Sequence, residues 1–419
     1  MTAPARAGSL PRLVLFVLVV GAAIGGWFSF QAKTTSELPV YVEGAARMER
    51  GEPIYRKTDP KPFTYPPFFA VPFLPLVDRA ERSQRLVWYC TNLAALCVTL
   101  WLAIRGVRDK NATAGARTFV WGGVVLLAGR HLSSVFENQS HDLVIALLVA
   151  LGADAWRRGG RLLAGAFWGI ATACKATPAL FLWPLLLRRD WRTGIALGAM
   201  AAVATLLPDL VMPQDGGKLW VVAWFDTFLS GLAAGGTASA EGAWTAGSFL
   251  NQGLSGTLHR LTTSVANPSG FVYDVALVDL GPSVKKTVIL CGQLIVVALL
   301  AFAARKRPGD HDRARERFGI AAAVTCGMVL LSPMSSKAHF CVLVLPAVFC
   351  TQALWFTRDR WLWALLLAEI GIGTLTVKGI VGTAIGNHCL AYGSVTWSAL
   401  IALVATLRAL ELEPALELA

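Results

Sequence analysis

Apolar runs of bilayer length, separated by tight arginine clusters, constrain this chain more than any other feature. Blocks such as 85–104, 193–212 and 284–304 match the roughly 20 residues an α-helix needs to cross a hydrocarbon core. Lipid offers the backbone no hydrogen-bond partners, so a spanning segment must satisfy its own polar groups, as a helix does. The runs are continuous instead of alternating, which also argues for helices. Of 419 residues 55% are hydrophobic and 15% are charged, against about 25% charged in an ordinary soluble chain. The expected fold class is therefore an all-α polytopic membrane protein, a single transmembrane domain over residues 1–419.

Apolar blocks read against Lys and Arg give about twelve spans. They lie near 12–31, 85–104, 117–133, 141–156, 161–174, 176–188, 193–212, 284–304, 318–332, 338–356, 360–378 and 393–410. With a cytoplasmic N-terminus the basic clusters all fall on the cytoplasmic side, as the positive-inside rule demands. These are Arg105–Arg117, Arg157–Arg161, Arg188–Arg192, the dense run 305–317, and Arg358 with Arg360. The short outer connections hold only isolated cations such as Arg130, Lys175, Lys337 and Lys378. This topology predicts a multi-pass protein of the cell membrane with both termini cytoplasmic. The first block, at 13–30, reads as a retained signal-anchor because no clear small-x-small cleavage site follows it.

The formal net charge of +12 could suggest nucleic acid. Its arginines sit in loop clusters and form no basic stripe, so no nucleic-acid partner is expected. The eight cysteines contain no CxxC pair and fall mostly in apolar segments. They read as small core residues, supporting neither a disulfide framework nor a zinc site.

Two outer loops, 33–84 and 213–283, are much longer than connections ordinarily are, which marks them as functional or disordered. Their interleaved aromatics, Pro and Gly favour folding against the membrane. Within the first, FTYPPFFAVPFLPL at 63–76 is too short to span and is broken by prolines, so it lies along the interface or dips in. The pair of short segments at 161–188 turns at Lys175, with Pro178 opening the second. An ammonium at that depth is costly unless it faces a cavity or an anion.

Four places could carry chemistry. Glu37 follows the first span, with Tyr41 and Glu43 just beyond it. A carboxylate there can serve as a general base, or be a solvated loop acid like its neighbours Glu49, Glu52 and Asp59. Tyr65-Pro66-Pro67 makes a rigid aromatic corner suited to an acyl chain, or simply a turn. Lys175 suits a phosphate as a point charge, or it snorkels to the interface. In the turn 332–339, Lys337 and His339 could stabilise a phosphate leaving group, although a lone histidine is more often a packing residue. No GxxxxGK[ST] or GxGxxG motif occurs, and no cytoplasmic region is large enough for a nucleotide-sugar domain. A donor delivered within the membrane fits better. No metal site or cofactor is evident, although a divalent cation held by loop acids is not excluded.

Taken in order, several motifs resemble the family-87 glycosyltransferases, membrane proteins related to polyprenyl-phosphate-mannose-dependent mannosyltransferases. They are GEPIY with FTYPPFFAVPFLPL (51–76), ENQSHDLVIALLVALG (137–152), ATACKATPALFLWPLLLRRDWR (171–192), NQGLSGTLHRL (251–261) and LSPMSSKAHF (331–340). The resemblance implies a GT-C fold and inverting transfer of a hexose, mannose favoured, from a polyprenyl-phosphate donor to a glycolipid or glycan. The reaction would take place in an outer cavity. Glu37 matches the family's acid after the first helix, usually Asp. Lys175 and Pro178 match its short helix pair, Gln139 its outer Gln motif, and Asn251, Gln252 and Arg260 its late loop. The family's serine-proline turn continues with Trp and two histidines; here Ser336, Lys337 and Ala338 intervene and only His339 remains. The resemblance thus makes His339, Lys337, Lys175 and Arg260 the donor-phosphate partners, with Tyr41, Glu43, Tyr65, Pro66, Pro67, Gln139, Asn251 and Gln252 lining the substrate and lipid cavity.

A transporter or lipid flippase would also explain many spans with buried charge. Such proteins commonly repeat their broken helices in two halves, whereas the short pair and the proline-rich segment occur only in the first half here. A membrane scaffold would leave the two long loops unexplained.

Overall fold

A computed structural model describes residues 26–28, 30–31, 36–56, 58–106, 113–230, 244–306 and 313–412. Most of the first expected span, 12–31, lies outside the described residues, as do 33–35 and 57 of the first loop, 231–243 of the second, and 307–312 of the basic run.

The described chain is helical, with one isolated β-bridge between Ser248 and Val272. In order come α1 (Leu38–Glu49), a 3-10 helix (Pro67–Leu76), α2 (Glu81–Gly106), α3 (Ala114–Asn138), α4 (Asp142–Arg157) and α5 (Arg161–Cys174). A short 3-10 turn (Thr177–Phe181) leads to α6 (Leu182–Leu187) and α7 (Trp191–Val211). The second half holds α8 (Leu254–Leu261), α9 (Pro282–Ala304), α10 (Arg313–Leu330), a 3-10 turn (Lys337–Leu343) running into α11 (Val344–Thr357), α12 (Arg360–Glu369), α13 (Lys378–Ala391) and α14 (Ser394–Glu411).

Six described helices are long and apolar enough to span a membrane, and a seventh span results if the pair Arg360–Thr374 and Lys378–Ala391, bent by 80°, is one broken crossing. The expectation of about twelve is not reached by that criterion. The segments at 161–174 and 176–188 are shorter apolar helices, and α4 has 16 residues. Of the stretch 318–332, residues 318–330 belong to α10, whose first turn carries Arg313, Arg315, Glu316 and Arg317. The cysteines also depart from expectation. Cys174, Cys326, Cys341 and Cys350 are buried, but Cys90, Cys97 and Cys291 lie exposed on helix faces.

Two local features position the interior. Helices α5 and α7 pack at small residues: a Cβ on Gly165 would stand 2.5 Å from the Thr193 carbonyl oxygen, and one on Gly169 2.7 Å from that of Leu197. Gly-xxx-Gly spacing thus lets the two backbones approach where lipid supplies no hydrophobic drive. Helix α3 starts where the Thr113 side chain accepts the Ala116 amide, and it ends at Gln139, which adopts the left-handed region with φ 53°. That conformation is unusual for a non-glycine residue. Two hydrogen bonds hold it, from Gln139 Nε2 to the Phe30 carbonyl (2.5 Å) and from Trp88 Nε1 to the Gln139 carbonyl (2.8 Å). The chain then reverses within Ser140 and His141 and enters α4 at Asp142.

Candidate active site

Asp142 is the first residue of α4, where a carboxylate complements the positive end of the helix dipole. Its side chain is 4% exposed. Ser140 Oγ donates to Oδ2 (2.9 Å), and Lys175 Nζ donates to Oδ1 (2.7 Å). Lys175 follows α5 directly; its backbone leaves the helical region (φ −155°, ψ 121°) before Pro178 restarts the chain as a 3-10 turn. The third member arrives from the second half of the chain. His339 Nε2 stands 3.9 Å from Asp142 Oδ1, too far for a hydrogen bond but close for charge. Its ring is fixed because Nδ1 accepts the Ser336 amide (3.2 Å). That bond leaves the imidazole proton on Nε2, the nitrogen 3.9 Å from the carboxylate. A narrow cavity of about 10 Å³ lies among Asp142, Lys175, Thr177, Ser332, Ser335 and His339.

An aromatic wall adjoins the cluster. The Tyr41 hydroxyl pairs with His141 Nδ1 (3.0 Å), and the ring of Tyr65 meets His141 edge-on at 4.6 Å. Phe69 and Phe73 close the same group around Tyr41. Burial is the largest cause raising the hydroxyl pKa values of Tyr41 and Tyr65 well above the usual tyrosine value, and the nearby Glu37 and Asp142 charges raise them further. Both carboxylates therefore act on one wall. Glu37 stands just before α1, its backbone N–H bonds the Asn138 carbonyl (2.9 Å), and its carboxylate pairs with Lys61 Nζ (2.8 Å). Lys61 is 44% exposed against 19% for Glu37, so the carboxylate is held by an arm that can move into solvent.

The other sequence candidates take different positions. Arg260 is buried on α8 and donates to the carbonyls of Ala391 (2.9 Å), Ser248 (2.9 Å) and Asn251 (2.7 Å). Burial pushes its guanidinium down to about 10. These donors serve backbone carbonyls and the Thr257 hydroxyl. Asn251 bonds the Pro333 carbonyl and accepts the Ser335 amide, while the Gln252 amide N–H donates to the Ser335 carbonyl and its side chain to that of Leu390. These two residues thus hold the turn that presents His339. The Lys337 carbonyl receives a bond from the buried His131 ring (3.0 Å). Gln139 shapes the corner before Asp142. Glu43 is half exposed and pairs with Arg47. Pro66 and Pro67 are buried at the start of the 3-10 helix beneath Tyr65. Sequence reasoning missed Asp142, His141, Ser140 and Lys61. A charge heading an apolar run inside the 137–152 motif was the available signal. Among the described residues no group of three His, Cys, Asp or Glu could hold a metal.

Membrane-length helices enclosing a buried carboxylate–cation cluster beside an aromatic wall define an integral membrane protein with an internal polar site. Its sequence matches the profile of glycosyltransferase family 87 over residues 63–333. The chain belongs to that family. It is similar to a polyprenol-phosphate-mannose-dependent α-(1-2)-phosphatidylinositol mannoside mannosyltransferase of Mycobacterium tuberculosis, at 27% identity over 96% of this chain and 92% of the relative. The enzyme of the same description from Mycolicibacterium smegmatis is 26% identical over 82% of this chain and 75% of its own length. Among solved structures, ArnT from Cupriavidus metallidurans in the apo state aligns with 16% identity and a TM-score of 0.39, covering 95% of this chain and 77% of ArnT.

Proposed function

We propose that the protein transfers a hexose, with mannose the favoured sugar, from a polyprenyl-phosphate donor to a glycolipid acceptor of the phosphatidylinositol mannoside kind. The single observation carrying this reading is the meeting of Lys175 and His339, remote in sequence, on Asp142, at a corner whose preceding carbonyl also holds Glu37. The activities of these relatives support the choice of sugar and acceptor.

In this reading the acceptor oxygen attacks the anomeric carbon as the bond to the phosphate oxygen breaks, and the anomeric configuration inverts. The acceptor's proton passes to the Glu37 carboxylate, freed from Lys61, as a general base requires. Polyprenyl phosphate leaves with the bonding electron pair. Lys175 has three N–H donors and gives one to Asp142, so two remain for the phosphate. The Nε2–H of His339, with Lys337 close by in sequence, adds a second donor where charge develops. We assign Arg260, Asn251 and Gln252 to support of the His339 turn. Tyr41, Tyr65 and the prolines below them offer a wall for sugar or lipid. The positive-inside pattern supports a site on the non-cytoplasmic face with both termini in the cytoplasm.

The test reconstitutes full-length protein in vesicles with radiolabelled polyprenyl-phosphate mannose, or its glucose and arabinose counterparts, plus phosphatidylinositol mannoside. Labelled lipid and stoichiometric polyprenyl phosphate are expected from the mannose donor. Transfer from GDP-mannose with every polyprenyl-phosphate sugar untouched would refute the assignment.

A further inference from the structure

The far end of α4 opens on a second site that the transfer reaction does not use. Trp156, which lines it, follows Asp142 by fourteen positions on this helix, so the second site lies about 21 Å away at the ordinary helical rise. A half-open cavity of about 790 Å³ is lined there by residues at the ends of α4, α5, α6, α7, α9 and α10. That size is within the range of ligand sites. Seven of its lining residues are Arg or Lys, against the carboxylates Asp190 and Glu316.

Both carboxylates are already engaged. Glu316 takes a two-pronged bond from Arg188 (3.0 and 2.7 Å), and Asp190 accepts Trp156 Nε1 (2.9 Å) with Arg161 at 3.5 Å. Arg317 bonds the Trp156 carbonyl (3.0 Å) and feels Arg161, Arg188 and Arg313 as like charges. Arg189, Arg192 and Arg313 have no carboxylate partner among the described residues. Orientation in the membrane needs cations at this end of the bundle, but it does not need them to converge on one recess, where they repel one another. A recessed cationic surplus is relieved by an anion with several acceptor oxygens, and planar guanidinium groups match phosphate in particular.

The recess also borders a lipid-facing surface. Trp191 is 55% exposed at its rim, and Leu162, Leu163, Leu187 and Ile195 of the same helices project outward. We propose that this cavity binds the phosphate headgroup of an anionic phospholipid whose acyl chains lie along that apolar face. Basic pockets between spanning helices are suited to such headgroups.

The experiment measures lipid retention by full-length protein in uncharged detergent, using native mass spectrometry with phosphatidylglycerol, phosphatidylcholine or inorganic phosphate. Wild-type protein is expected to retain phosphatidylglycerol over phosphatidylcholine by about tenfold or more, given several cations in one pocket. The variant Arg192→Gln/Arg313→Gln removes two cavity cations and should weaken phosphatidylglycerol binding about 25-fold, roughly fivefold per charge. The variant Arg358→Gln/Arg360→Gln removes the same charge outside the cavity and should change it less than about twofold on the same scale. Equal losses in the two variants would reduce the effect to net charge and overturn the proposal. Wild-type protein without headgroup selectivity overturns it whether or not either variant folds. Inorganic phosphate competing as well as the lipid, at equal concentration, overturns the lipid source.

Discussion

The ion pair between Lys175 and Asp142 allows the sharpest test of whether the cluster only stabilises the fold or also holds phosphate. At 2.7 Å and an effective dielectric of 20, the attraction is roughly 6 kcal/mol, much of it cancelled by desolvation of the two ions. Removing one partner leaves a buried charge without compensation, which costs about 3–5 kcal/mol. The two single variants should differ. In Asp142→Asn the ammonium, 15% exposed, can extend toward solvent, so the loss falls near 3 kcal/mol, the low end of that range. In Lys175→Met the carboxylate, 4% exposed, keeps the Ser140 hydroxyl and the histidine at 3.9 Å. Neither replaces a full cation, and the loss approaches 5 kcal/mol. The double variant carries no orphan charge and should recover most of the stability, giving a coupling of at least about 2 kcal/mol. Unfolding by SDS titration in bicelles, followed by tryptophan fluorescence, measures each corner of the cycle. Donor retention, measured with radiolabelled polyprenyl-phosphate mannose, should fail in both variants lacking Lys175, including the refolded double. A double variant as unstable as the sum of the singles would refute the pairing argument. One that binds donor normally would remove Lys175 from the phosphate site.

Other substitutions separate the remaining roles. Glu37→Gln should lower transfer by about 10²–10⁴-fold, the worth of a general base, while donor binding stays intact; unchanged turnover in single-cycle assays would exclude Glu37. His339→Ala should cost about 10²–10³ in kcat, as loss of one donor to a developing charge does, with a smaller change in donor affinity. Arg260→Met takes the guanidinium donors from the Ala391 and Asn251 carbonyls, while that of Ser248 keeps the Asn251 amide, at about 1–3 kcal/mol for each group left unsatisfied. Lower thermal stability with donor affinity preserved in the surviving protein is expected, and a selective loss of donor binding would return Arg260 to the phosphate site. Gly169→Val drives a side chain into the α5–α7 contact and should cost about 1–3 kcal/mol by overpacking, seen as a lowered melting temperature in detergent.

How much of this was legible in the sequence depended on whether the determining contact was local. Spanning helices were legible because length and apolar content are local properties, and 85–104, 193–212 and 284–304 correspond to α2, α7 and α9. The span count was not, since α4, α5 and α6 are short pieces whose apolar character reflects packing in the bundle as much as contact with lipid. Lys175 and His339 stood out as isolated charges beside apolar runs. Their shared partner did not, because Asp142 sits one residue inside a run that otherwise reads as continuous core. Arg260 shows the opposite difficulty. A matched motif suggested an anion, but its actual acceptors are carbonyls near 250 and at 391, and their positions depend on how α8 packs against α13 and α14.

The corner between α3 and α4 explains why separate sequence motifs share one site. Were the chain to continue as helix past Asn138, His141 and Asp142 would lie almost one turn further along a single axis and could not head a new helix. The left-handed Gln139 ends α3, and its side chain and carbonyl are held by Phe30 and Trp88. The Asn138 carbonyl accepts the Glu37 amide, and three and four residues later the chain presents His141 to Tyr41 and Asp142 to Lys175. A non-glycine residue in this region persists only where its surroundings over-determine it, and such places cluster at functional sites. Gln139, chosen from the sequence as a cavity residue, thus contributes through its backbone angle: it joins the end of α3 that binds the Glu37 amide to the start of α4 that carries Asp142.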